Sequence, residues 1–114
     1  RQIKKYKFLI SKYATPFNMI RHFQMTEDEF RLFAEKEGYT APEFKTQPPN
    51  TFFDQHAHKD DLIAFIQDGE FIVETDKNRK SFKAGELSIV EAGLVHTDCV
   101  GRDGAKYLMA RRAA

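Results

Sequence analysis

The sequence predicts an all-β domain of sandwich, jelly-roll or barrel type, with one short α-helix near its N-terminal end. Two observations lead there. After Pro42 the chain becomes a succession of short runs rich in β-branched and aromatic residues, punctuated by Gly, Asp and Asn at regular intervals. Before it, Thr26 and Glu29 stand three residues apart ahead of an apolar run, which is the signature of a capped helix N-terminus.

The elements follow in order. Residues 1–25 are the hardest to assign, with 6–14 readable as an outer strand. The helix is predicted over 26–37, with Thr26 as N-cap, Phe30, Leu32, Phe33 and Ala34 as apolar content, and Gly38 where a left-handed residue ends a helix. Strands are predicted at 43–47, 52–58, 62–67, 70–74, 80–83, 87–90, 95–100 and 105–110. Asp68-Gly69 predicts a tight hairpin, because a type I′ turn needs positive φ at both central residues and this pair tolerates it. Residues 76–78, Ala84-Gly85, Ala92-Gly93 and Asp103-Gly104 mark further turns. Many short strands at such spacing favour architectures that bury one face of each strand and limit exposed edges.

Size and composition narrow the function. With 114 residues there is room for one core, so the expectation is a single domain, with an arm and helix at 1–42 and the barrel at 43–114. The hydrophobic content of 41% and charged content of 31% are ordinary for a soluble globular chain. No apolar run reaches membrane-spanning length, no secretory signal is evident, and the lone Cys99 cannot form an internal disulfide. A cytoplasmic location is expected, with no membrane partner. Net charge is +1, yet residues 1–25 hold six basic side chains and no acidic one, so the rest of the chain carries −5. The interleaved Ile3, Tyr6, Phe8, Leu9 and Ile10 favour packing over nucleic-acid binding for that arm, and no nucleic-acid partner is expected.

Three of the four histidines fall in two short segments, His56-Ala57-His58 and His96 after Gly93. Side chains two residues apart on a strand share a face, about 6–7 Å apart along the chain, so a His-x-His pair can aim two imidazoles at one ion. A third histidine from a neighbouring strand completes a set of neutral donors that leaves coordination positions open, as in catalytic rather than closed structural sites. Zn, Fe, Ni, Cu and Mn all suit such donors. His22 lies apart from these segments and is read as an exposed or packed histidine.

Over most of residues 43–112 the chain resembles the cupin superfamily, of the small single-domain kind. His56-Ala57-His58 followed by Asp68-Gly69 matches the first cupin motif, and Gly85, Gly93 and His96 fall at the spacings of the second. The run from Asp61 to Glu70 and the ending Lys106-Tyr107-Leu108-Met109-Ala110-Arg111-Arg112 are similar to the corresponding parts of small cupins. The sequence departs from the motifs at Leu62, where a glutamate ligand is usual, and at Glu91 and Val100, where Pro and Asn are usual. The resemblance implies a double-stranded β-helix barrel, a divalent metal held by His56, His58 and His96, and dimerisation. The fourth ligand is open. Asp60 shares strand parity with His56 and His58, Asp98 shares it with His96, and Asp61 would need a bulge to turn inward; a solvated or turn-capping role is the alternative for each. A three-histidine site completed by water is the expectation.

Three function classes remain: a small metalloenzyme of oxygenase or isomerase/lyase type acting on a small, anionic molecule, a non-catalytic small-molecule binding or sensing module, and a metal-free structural barrel. For an enzyme, Asp98, Asp61 and Tyr107 are the candidate acids or bases, with Tyr107 or Arg111 facing the barrel mouth. A homodimer is expected, the N-terminal arm adding a strand to the neighbour's sheet.

Overall fold

The computed structural model describes residues 21–114, with side chains from Phe23 onward. The outer strand expected at 6–14, most of the basic arm and the side chain of His22 lie outside the described residues. Eight elements follow one another: β1 (Arg21–Gln24), α1 (Glu27–Lys36), β2 (Glu43–Gln47), β3 (Phe52–His56), β4 (Asp60–Glu74), β5 (Arg79–Lys83), β6 (Glu86–Val90) and β7 (His96–Ala113). The all-β expectation with one helix holds.

The capping box is formed. Thr26 Oγ1 accepts from the Glu29 N–H at 3.1 Å, and Glu29 Oε1 accepts from the Thr26 N–H at 2.9 Å, so two backbone donors that the first turn leaves without partners are satisfied. Gly38 follows the helix at φ 80°. Phe30 and Phe33 are fully buried and point at the sheet, with the Phe30 ring stacked 5.4 Å from that of Phe65.

All seven strands of the described residues join one antiparallel sheet in the order β1-β6-β4-β7-β2, with β3 also on β7 and β5 also on β4. Its spine is the long β4–β7 ladder. Here the structure corrects the sequence reading: neither Asp68-Gly69 nor Asp103-Gly104 is a hairpin turn. The pairs 62–67 with 70–74, and 95–100 with 105–110, are each parts of one long strand. The two dipeptides sit at register shifts where the ladder bends, Gly69 opposite Ala105 and then Phe71 opposite Val100. Positive φ is used there, at 81° for Gly69 and 77° for Gly104, but it serves to fold a continuous ladder rather than to reverse the chain. Beyond the bend β4 pairs with β5 and β7 with β3; before it they pair with β6 and β2.

Alternation then sorts the core. On β4, β6 and β7, Ile63, Phe65, Leu87, Ile89, Leu108 and Ala110 face the helix, together with Tyr39. Their neighbours Ile66, Val90, Tyr107 and, less deeply, Ala64 and Met109 face the barrel interior with Val73, Phe82 and Val100. Because both faces of this part of the sheet are covered, four consecutive residues of β6, Leu87 to Val90, are buried and the strand shows no polar alternation.

Candidate metal centre

The three motif histidines meet at the ends of β3 and β7. His56 is the last residue of β3 and stands directly across from His96, the first of β7. Reaching that pairing takes a bulge. Phe53 pairs with Asp98, yet His56 pairs with His96, so β3 carries one residue more than β7 between the two pairs. Phe53 lines the barrel cavity; on a regular strand Gln55 would share its face and His56 would point out. The extra residue at Asp54-Gln55 restores His56 to the inner face. The Asp54 side chain holds the irregularity, accepting from the Gln55 N–H at 2.7 Å.

His58 lies two residues past the strand end, and its carbonyl accepts from the Gly93 N–H at 2.9 Å, tying it to the loop that leads into His96. The ring centroids are 4.3 Å apart for His56 and His96, 4.8 Å for His56 and His58, and 5.3 Å for His58 and His96. One ligand atom from each lies within 4.8 Å of the others, close enough for small side-chain rotations to bring all three onto one ion.

The tautomers of two rings are set by the backbone. Nδ1 of His56 faces the carbonyl of Asp54 at 2.5 Å, and Nδ1 of His96 that of Leu94 at 2.8 Å. A carbonyl only accepts, so each Nδ1 carries a proton, and in the neutral ring each Nε2 presents a lone pair to the site. Asp98 completes the cluster, its Oδ2 3.3 Å from His56 Nε2 and 3.4 Å from His96 Nε2. Burial lowers the pKa of His58 below its ordinary value, helped by the adjoining His56 and His96. Burial acts in the same sense on His96, but the Asp98 carboxylate and the Leu94 carbonyl outweigh it and hold that imidazole above its usual range. Neutral imidazole nitrogens converging beside a carboxylate fit a divalent cation.

The cluster opens onto a cavity of about 250 Å³. Leu62, at the position where a glutamate ligand was sought, is part of its apolar wall, with Phe53, Phe71 and Val90. Tyr107 faces inward as alternation allowed. Its hydroxyl oxygen accepts from Gln47 Nε2 at 3.2 Å, and burial raises its pKa above the ordinary phenol value. Asp61 is not brought to the histidines: Oδ1 accepts from the Ala92 N–H at 2.8 Å and Oδ2 pairs with Arg112 at 3.2 Å. It is a turn-capping carboxylate that holds the loop preceding His96. Asp60 sits at the start of β4 opposite Ala113. Arg111 is exposed, though its charge reaches His58.

Lys45 and Gln47 also line the cavity, and the sequence reading missed both. On β2 the apolar Phe44 is 60% exposed while the polar Lys45 and Gln47 turn inward. That inverted alternation was the available signal, since a strand whose inner face lines a wet cavity reverses the usual pattern.

No family model matches the sequence, and no curated protein matches it. Solved structures do match. A DUF861 family protein from Thermotoga maritima superposes with a TM-score of 0.62 at 12% identity, covering 80% of this chain and 97% of that one. A cupin superfamily protein from Desulfitobacterium hafniense gives 0.57 at 13% identity over 93% and 88% of the two chains. A cupin-2 domain containing protein from Shewanella frigidimarina gives 0.55 at 14% identity over 96% and 99%. Identity this low speaks for the fold alone, and the fold of this chain is the cupin fold.

Proposed function

We propose that this protein is a metal-dependent cupin in which His56, His58 and His96 hold a divalent ion at the mouth of the barrel cavity, and that it acts there on a small, anionic molecule. The observation that carries this reading is the convergence of the Nε2 lone pairs of His56 and His96, whose Nδ1 atoms face backbone carbonyls, with the third imidazole of His58 beside them. Such an ion supplies Lewis-acid polarisation of a bound carbonyl or carboxylate, or oxygen chemistry if it is iron.

The chain's own residues supply the rest. The apolar wall of Phe53, Leu62, Phe71 and Val90 keeps water away from a ligand seated against the cluster. Tyr107, with its phenol pKa raised, stays protonated at neutral pH. Since Gln47 donates to its oxygen, its own proton is free to be donated to an oxygen of the ligand. Lys45, whose ammonium pairs with Glu43 at 3.5 Å, lines the cavity from β2 and would favour an anionic ligand by exchanging that partner for it. A cavity of about 250 Å³ lies below the roughly 300–1,000 Å³ of clefts that take drug-sized molecules, so the ligand is small.

The test is elemental analysis of protein purified without a metal-affinity tag, beside a His56→Ala/His58→Ala double variant prepared identically. About one divalent ion per chain, lost in the variant, is the expected result, and the element found separates oxygen chemistry from polarisation. Wild-type protein that arrives metal-free and binds no added zinc, iron, nickel or manganese would refute the proposal. A non-catalytic binding role is the second reading. It is favoured by Asp61, a candidate acid or base whose two oxygens are committed to Ala92 and Arg112.

A further inference from the structure

We infer that Asp98 is the fourth protein ligand of the metal, taking over from β7 the role that Leu62 cannot fill on β4. The inference rests on the three-histidine reading above and changes the water-completed site expected from sequence.

Three observations support it. First, Asp98 Oδ2 stands 3.3 Å from His56 Nε2 and 3.4 Å from His96 Nε2. Charge-assisted N–H···O bonds are shorter, about 2.7–2.9 Å. Two ligands each about 2.1 Å from one ion, at a tetrahedral angle, are instead roughly 3.4 Å apart, so both separations are those of neighbouring ligands. Second, with the protons on Nδ1, the two Nε2 atoms and the carboxylate oxygen all present lone pairs to one another. Three acceptors at such range repel unless a proton or a metal cation lies between them, and in the metal-free protein the proton that Asp98 favours on His96 stands where the ion would. Third, the Asp98 side chain is only 12% exposed and it projects from the same face of β7 as His96, two residues on. The β3–β7 bulge therefore delivers His56, His96 and Asp98 to one point from two paired strands.

The other described carboxylates nearby do not compete. Asp61 is held by Ala92 and Arg112. Asp60, the first residue of β4 and paired with Ala113, is not among the residues that line the cavity. With Asp98 bound, the site carries one negative ligand against a 2+ ion, and the proton-transfer role in the cavity falls to Tyr107 rather than to Asp98.

The experiment compares zinc affinity, by chelator competition, of wild type and Asp98→Asn, which keeps the side-chain shape but removes the charged donor. Loss of a group that merely orients a ligand costs roughly 10–100-fold, so loss of a ligand is expected to exceed 100-fold, with altered visible bands in the cobalt-substituted protein. A loss below that, with unchanged cobalt bands, overturns the inference while leaving the three-histidine reading intact; failure of wild type to bind zinc overturns both. If Asp98→Asn does not fold, as judged by far-UV circular dichroism of the metal-free protein, a crystal structure of zinc-loaded wild type decides. Oδ2 at about 2.0–2.2 Å from the ion supports ligation, and an ion held by the histidines alone refutes it.

Discussion

Replacing Gly69 by alanine tests the bend of the β4–β7 ladder. Two costs combine at this position. Gly69 has φ 81°, a conformation that costs an L-residue about 1–2 kcal/mol. A Cβ there would also lie 2.0 Å from the Gly104 carbonyl oxygen and 2.8 Å from its carbon. These are backbone atoms of β7, which cannot move aside without disturbing the Gly69–Ala105 pairing. Relief of such overpacking costs about 1–3 kcal/mol, and each ladder hydrogen bond lost adds about 1 kcal/mol. With one such bond lost the expected total is about 3–6 kcal/mol, a large share of the ~5–15 kcal/mol that holds a typical domain together. Gly38→Ala is the internal control. It shares the positive φ, at 80°, but its Cβ would meet nothing closer than Arg112 Cδ at 3.9 Å, so only the ~1–2 kcal/mol conformational cost applies. Urea unfolding of wild type and both variants, with chelator present, gives the two differences directly. If Gly69→Ala costs no more than Gly38→Ala, the close approach of the two strands is not what bends the ladder.

Further predictions concern the helix and the site. Phe30→Ala, which empties a fully buried position stacked on Phe65, is expected to lower stability by about 3–5 kcal/mol in the same unfolding assay while leaving zinc stoichiometry unchanged in whatever protein folds. Thr26→Ala removes the capping box and should cost about 1 kcal/mol, measured likewise. The rise in Tm produced by zinc should grow with pH. His96 has its pKa raised above 6.5 by Asp98, so in the metal-free protein protonated His96 stabilises the fold below that value, and this contribution is lost as pH rises through the raised pKa. Metal needs the neutral imidazole, so proton and ion compete, and the difference in Tm with and without zinc should be smallest below pH 6.5 and largest above the raised pKa. A zinc effect that is constant from pH 5 to 8 would show that His96 is not a ligand.

The parts of the molecule that could be read in the sequence are those encoded locally. Thr26 and Glu29 specify a helix start through contacts three residues apart, and the helix is where they place it. His56, His58 and His96 were recognisable from their spacing, although the shared strand face expected of the first two is not how they meet, since β3 ends at His56 and His58 lies beyond it. The Asp68-Gly69 pair was misread for an instructive reason. The dipeptide encodes a dihedral angle, and whether that angle reverses the chain or merely bends it depends on whether a partner strand runs alongside both halves. That partner is β7, some 36 residues away in sequence at its Gly104–Ala105 contact, and nothing near Gly69 announces it. The bulge at Asp54-Gln55 was hidden likewise, since it contains no glycine and is visible only as a mismatch in register with Asp98 and His96. Asp98 itself was legible by parity with His96, but only the bulge shows that it stands beside two imidazoles rather than one.

The double-sided burial of β4, β6 and β7 separates two jobs that most small barrels entangle. Phe65, Leu87, Ile89 and Leu108 belong to the layer under the helix, while Ala64, Ile66, Ser88, Val90 and Met109, on the same strands, line the cavity. The same backbone thus presents a foundation on one side and a mould on the other. Descendants of such a chain can recast the mould, exchanging Ala64, Ser88 or Met109 for side chains of other size and polarity, while the helix-facing layer continues to supply the cohesion that keeps the barrel standing.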